Sequence, residues 1–326
     1  MAIFFRATLV YAIVALLIVA HLQSIDRDFV VRSLALIMLF LKWLAGSFQW
    51  GVALPLAAVL TFGLSRAPAR LPLLFIALVS CVLFQTAFYI VKSSIPLVVP
   101  FYADPWLADF DRWLHGGQDP WVLAHRILDW MPASLIATLY TTIWAFPALA
   151  FVFILVLIEA DDLRFRRYVI LYLFCWLGLG NVLAALGASV GPVFYYALLG
   201  DDRFADLHRA LAVSGVAQTT VGALQENLWK NYIEGGLVVG SGISAFPSVH
   251  VGSTTLVALY VIERVPIAAP PAIAFVALIQ ILSVYTGYHY AVDGYVSIAA
   301  MVGAWALVSP GKRRQIWPLS RSVHKS

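Results

Sequence analysis

The chain has 326 residues, of which 62% are hydrophobic and 12% charged, with a formal net charge of +4. Soluble domains carry about 25% charged residues, so this composition excludes a soluble enzyme or binding module, and the mean hydropathy of +0.88 points to an integral membrane protein. The small net charge gives no support for nucleic-acid binding.

A helix needs about 20 apolar residues to cross a bilayer. Runs of this kind cover 7–22, 48–64, 72–97, 132–158, 165–187, 246–263, 268–287 and 290–309. They predict an all-α fold, a polytopic membrane helix bundle of about eight transmembrane helices. The first run lacks small residues at a cleavage site (Ala20-His21-Leu22-Gln23-Ser24) and reads as a retained anchor. Arg32 and Lys42 interrupt 29–45, which reads as an interfacial helix leading into the second span. Cys81 and Cys175 lie inside apolar runs and read as core residues, neither disulfide nor metal ligands.

Alternate loops hold Arg6, then Arg66 and Arg70, then Arg164, Arg166 and Arg167, then Arg264, then Lys312, Arg313, Arg314, Arg321 and Lys325. The excess of basic residues marks the cytoplasmic side, which puts both termini inside and 98–131, 188–245 and the turn at 288–289 outside. The Ala- and Leu-rich composition suggests a bacterial inner membrane.

In the outer segment 98–131, Asp104-Pro105-Trp106 and Asp119-Pro120-Trp121 read as two helix starts, Asp capping the free amides and Pro opening the helix. Trp106, Phe110, Trp113 and Leu114 share one face, with Asp109, Asp111 and Arg112 expected on the far side. Such a helix lies at the headgroup level, as a lipid platform or a plain anchor. The long segment 188–245 is a candidate for acceptor or headgroup recognition.

The chemistry is expected between Ser241 and Asp293. FPSVH at 246–250 and YHYAVD at 288–293 bracket two apolar runs and fall on one face of a helical hairpin. Ionisable groups in apolar surroundings are costly and serve a purpose. Pro247 suits the first turn of a helix that Ser244 can cap. The free amides there, with the Ser248 hydroxyl, form an anion site within reach of His250. His289 and Asp293 stand at helical i, i+4 spacing, so the carboxylate can hold one ring nitrogen and leave the other as a nucleophile. A second imidazole, His250, can serve as general acid. Tyr285, Tyr288 and Tyr290 read as packing, with one of them a candidate to line the site, and His21, His115, His125, His208 and His324 as mostly solvated.

These residues resemble the type-2 phosphatidic acid phosphatase superfamily, closest to its inositol phosphorylceramide synthase-like (inositolphosphotransferase) branch. Pro247, Ser248 and His250 match its second motif; Ser283, His289 and Asp293 match its third. Of its first motif, Lys92 and Pro100 match, and Val99 stands where the family has arginine; Val284 replaces a second arginine. The resemblance implies that His289 attacks phosphorus to form a phosphohistidine, that Asp293 orients it, and that His250 protonates the leaving group. It implies phosphate binding by Ser248, Lys92 and the amides near Val249 and His250. Lys230, Arg203 or Arg209 are candidates to replace the missing arginines. The implied division is 1–71 as N-terminal membrane helices with the interfacial helix, 72–311 as a catalytic six-helix core, and 312–326 as a basic cytoplasmic tail.

The resulting expectation is a multi-pass membrane phosphotransferase or phosphatase whose partners are the membrane and a lipid phosphate or phospholipid substrate, with no metal and no cofactor. A transporter, or a haem protein ligated by His250 and His289, are the competing readings. Clean spans disfavour the first, and the Ser248 and Asp293 neighbours disfavour the second.

Overall fold

The computed structural model describes residues 1–22, 27–46, 70–234 and 242–309. The expected span 48–64, the glycines of 235–241 and the basic tail lie outside the described residues. Among the described residues every regular element is helical. In chain order the main ones are α1 (Ala2–Leu22), α2 (Arg27–Gly46), α3 (Leu71–Val98), α4 (Asp104–Leu114), α5 (Pro120–Leu128), α6 (Ala133–Leu149), α7 (Phe151–Ile158) and α8 (Asp162–Leu186). They continue as α9 (Ala205–Val213), α10 (Thr220–Glu234), α11 (Val249–Arg264), α12 (Ala269–Tyr285) and α13 (Ala291–Val308).

Among the described residues, five helices are long and apolar enough to cross a membrane: α1, α3, α8, α13, and α12 with the short turn that precedes it. A sixth candidate is a bent pair, α5 with α6, turning by 119°. The expected span 246–263 forms α11, whose 16 residues rise only about 24 Å, short of a hydrocarbon core of about 30 Å. Its helix also begins later than expected. Ser248, not Ser244, is the N-cap, and Pro247 precedes the helix.

The core has two parts. In one, Phe4 and Tyr11 of α1 pack on Phe84 of α3, and Phe4 and Phe84 both meet Tyr172 of α8. This part extends through Leu155, Leu256 and Met301. In the other, α4, α5, α9, α12 and the start of α13 gather around Leu107, Leu207, Leu282 and Tyr290.

Helix α11 joins two chemically different ends. At its C-terminal end Glu263 pairs with Arg164 at 3.3 Å and with Arg167, and accepts hydrogen bonds from Tyr168 and Trp305. Arg164 also meets Glu159, which accepts from Tyr260. Asp161 caps α8 through the amides of Leu163 and Arg164, and these amides hold its carboxyl below the usual carboxylate range. The opposite end carries His250 and His289.

The aromatic residues of α4 share its outward face as expected, and the opposite face is buried in the protein. Asp104, Leu107, Ala108 and Asp111 form its buried face, while Trp106 and Trp113 are exposed at 63% and 72% and stack through Phe110. Aromatic rings favour the headgroup region, and the two carboxylates turn inward because backbone amides await them there. Asp104 does not cap its own helix; Ala103 holds that position. His125 is also buried, not solvated. Its ring stacks on Tyr285 at 3.8 Å, and one nitrogen meets the Tyr285 carbonyl oxygen.

Candidate active site

Ser248 is fully buried. Its Oγ accepts from the Val251 amide at 3.3 Å, and its own amide donates to the Asp293 carbonyl oxygen at 3.2 Å. One bond starts α11 and the other ties that start to α13, so the two sequence clusters meet. His250 stands in the first turn of α11. Its ring stacks on Tyr140 and Trp144 of α6, with centroids 4.6 and 3.9 Å away. The Trp144 indole donates to the His250 carbonyl oxygen and to Ser253 Oγ, both at 3.0 Å. Tyr140 belongs to a π-helical turn, Thr138–Ile143, of the kind that recurs at functional sites.

His289 lies in the turn between α12 and α13, with its ring 5.7 Å from that of His250. Its Nδ1 is 2.7 Å from the Ala245 carbonyl oxygen and 3.5 Å from Asp293 Oδ2. The carbonyl is an acceptor only, so Nδ1 carries the proton and Nε2 keeps the lone pair. Asp293 is fully buried. Its Oδ2 accepts from the Tyr290 amide at 2.9 Å, and its Oδ1 has no hydrogen-bond partner among the described residues.

Both histidines line a cavity of about 420 Å³ together with Lys92, Ser244, Val249, Tyr140 and Trp144. Its remaining walls are mainly apolar, among them Phe88, Leu149, Trp176, Leu224 and Leu228. Lys92 makes no ion pair among the described residues, and its Nζ lies 5.8 Å from the Phe88 ring. Its charge is therefore available to an anion in the cavity.

The other expected phosphate ligands stand elsewhere. Ser248 does not line the cavity. Lys230 is exposed on α10, 4.0 Å from Glu234. Arg203 is engaged by Asp109, Asp119 and the Ala108 carbonyl, and Arg209 by Asp206. Val284 is buried.

Four contributors were not read from the sequence as site residues. Tyr140 and Trp144 look like any aromatic residues of an apolar span. Asp104 and Asp111 recur at i, i+7 with Leu107 and Ala108 between them, and that stripe was readable. Asp104 accepts from the amides of Val190 and Gly191 at 2.8 and 2.9 Å and from the Tyr290 hydroxyl at 2.9 Å. Asp111 accepts from the amides of Ala291 and Val292 at 2.9 and 3.0 Å. Burial pushes both carboxyls above the usual range, with the amides pulling the other way. Gly191 has φ +86, and a side chain there would strike the Tyr288 carbonyl.

Two imidazoles facing one cavity, one with a fixed tautomer, together with a free ammonium, suit nucleophilic attack on phosphorus with general-acid assistance. Among the described residues no group of three or more His, Cys, Asp and Glu could hold a metal ion. No curated protein and no solved structure matches the chain. The family model of the PAP2 superfamily matches residues 105–307, a stretch that holds His250, His289 and Asp293 but not Lys92. The chain therefore belongs to the PAP2 superfamily and is a membrane enzyme of the phosphatase or phosphotransferase type.

Proposed function

We propose that the protein transfers a phosphoryl group from a lipid phosphate or phosphodiester to an alcohol, in the manner of an inositolphosphotransferase, through a phosphohistidine. Nε2 of His289 attacks phosphorus, an N–P bond forms, and the P–O bond to the leaving group breaks. His250, entering as imidazolium, gives its proton to the departing oxygen. It then takes the proton of the incoming alcohol, whose oxygen attacks phosphorus, breaks the N–P bond and restores His289. Lys92 and the first-turn amides of α11 hold the phosphate oxygens. Asp293 acts on His289 through its charge. The active site faces the outside of the membrane in this reading, since the basic loops gather at the other end of α11.

The observation that carries this reading is the pairing of His250 and His289, rings 5.7 Å apart, on one cavity wall with Lys92. The choice of an alcohol rests on volume. The cavity of about 420 Å³ far exceeds the share of one water, about 30 Å³, and admits a headgroup acceptor beside the phosphate.

The test is incubation of the purified protein with vesicles of labelled phospholipid, with and without candidate alcohols. A phosphate ester of the added alcohol supports transfer; without it, free phosphate from a lipid phosphate, or a phosphomonoester from a phosphodiester, means that water is the acceptor. An acid-labile label on the protein that persists in His289→Ala refutes the phosphohistidine.

A further inference from the structure

We propose that Asp111, seconded by Asp104, is a positioning residue that holds His289 in line for attack, acting from α4 through the turn that opens α13. This rests on the reading of His289 as the nucleophile.

A helix start is ordinarily capped from its own sequence. Here the local cap is already in place, since Asp293 takes the Tyr290 amide. The next two amides, of Ala291 and Val292, go to the two oxygens of one carboxylate 180 and 181 positions away. A fork of two parallel bonds fixes direction as well as distance. It sets the rotation of the first turn of α13, and with it the backbone leading back to His289.

Asp104 holds the other side. Its Oδ1 takes the Tyr290 hydroxyl, next in the chain to His289, and the Gly191 amide; its Oδ2 takes the Val190 amide. The same loop turns its Ser189 carbonyl to the Ala245 amide and its Ser189 hydroxyl to the Phe246 amide. The Ala245 carbonyl in turn takes the Nδ1 proton of His289. Helix α4 thus sets both the backbone of the nucleophile and the acceptor that fixes its tautomer. Neither carboxylate lines the cavity of His250 and His289, so neither touches substrate. Burying two carboxylates is costly, and a plain anchor at the headgroup level needs no such inward pair.

The experiment compares Asp111→Ala, Asp111→Asn and Glu263→Gln with the unaltered protein. Vesicles of phosphatidate and of phosphatidylglycerol are the probes, and rates are normalised to folded protein. Misplacement of a reacting group by about 1 Å costs about 100-fold in rate, so Asp111→Ala is expected to lower kcat by about that factor with KM within about twofold. Asp111→Asn keeps one acceptor oxygen and is expected to lose about tenfold. It also carries the test if the alanine variant does not fold. Glu263→Gln disturbs partly buried ion pairs at the far end of α11, and is expected to lower the melting temperature while leaving kcat unchanged. A folded Asp111 variant with unchanged kcat overturns the positioning role alone. Absence of turnover in the unaltered protein overturns the proposed function and this role with it.

Discussion

The carbonyl oxygen of Ala245 stands 2.7 Å from Nδ1 of His289, nearer than Oδ2 of Asp293 at 3.5 Å. The Nδ1 proton is therefore donated to a backbone oxygen that no side-chain substitution removes. Asp293→Asn keeps an oxygen for the Tyr290 amide and removes only the charge. General acid–base and charge effects of this kind span about 100- to 10,000-fold; with the tautomer held by Ala245, the loss in kcat is expected near the lower end. Single-turnover kinetics check it. A loss as complete as that of His289→Ala would show that the carboxylate, not the carbonyl, fixes the tautomer.

Trp144 does two things for His250: its ring stacks on the imidazole, and its indole N–H bonds the backbone beneath it. Trp144→Phe keeps the first and removes the second. A neutral hydrogen bond contributes about 1 kcal/mol, so a loss of about fivefold in kcat is expected. Trp144→Ala removes both and is expected to lose more. The check is kcat against pH for both variants, since loosening His250 alters the general acid and leaves nucleophile formation intact.

Lys92 is the cation at the cavity wall that no carboxylate neutralises among the described residues. Hydrogen bonds to charged groups contribute about 1.5–3 kcal/mol, so Lys92→Met is expected to lower kcat/KM by about 10- to 150-fold. Lys92→Arg is expected to recover part of this. Steady-state kinetics on vesicles decide. An unchanged kcat/KM in Lys92→Met would place phosphate binding elsewhere.

Vanadate adopts the five-coordinate geometry of attacked phosphorus, so it is expected to inhibit by bonding His289. The cavity wall carries two imidazoles, an ammonium and hydroxyls but, among the described residues, no carboxylate, a poor set for a hard cation that is held chiefly by carboxylate oxygens. Chelators are therefore expected to leave the rate unchanged. Inhibition by a chelator, relieved by added metal, would overturn the metal-free mechanism.

The meeting of the two polar clusters was legible because charge and imidazole are rare in apolar runs, and because His250, His289 and Asp293 fall at spacings that one helical hairpin can unite. The surroundings were less so. Tyr140, within a π-helical turn, and Trp144, directly after it, face His250, and that change of winding breaks the register on which periodicity depends. Asp111 was placed on the face away from the aromatic stripe, and it lies there; that this face meets the amides of α13 depends on a partner 180 positions away, which no local pattern shows. The start of α11 shifted because Ser248 offers a cap directly before the helix, where Ser244 lies too far back.

Helix α11 carries His250 in its first turn and Glu263 in its last. At 1.5 Å per residue these stand about 20 Å apart along its axis. A lipid whose phosphorus reaches the imidazoles keeps its headgroup at that rim, and its acyl chains descend from there. On the proposed reading, the donor lipid and its lipid product consequently share a single monolayer. Any lipid synthesised in the opposing one has to be carried across by other machinery before this enzyme can use it.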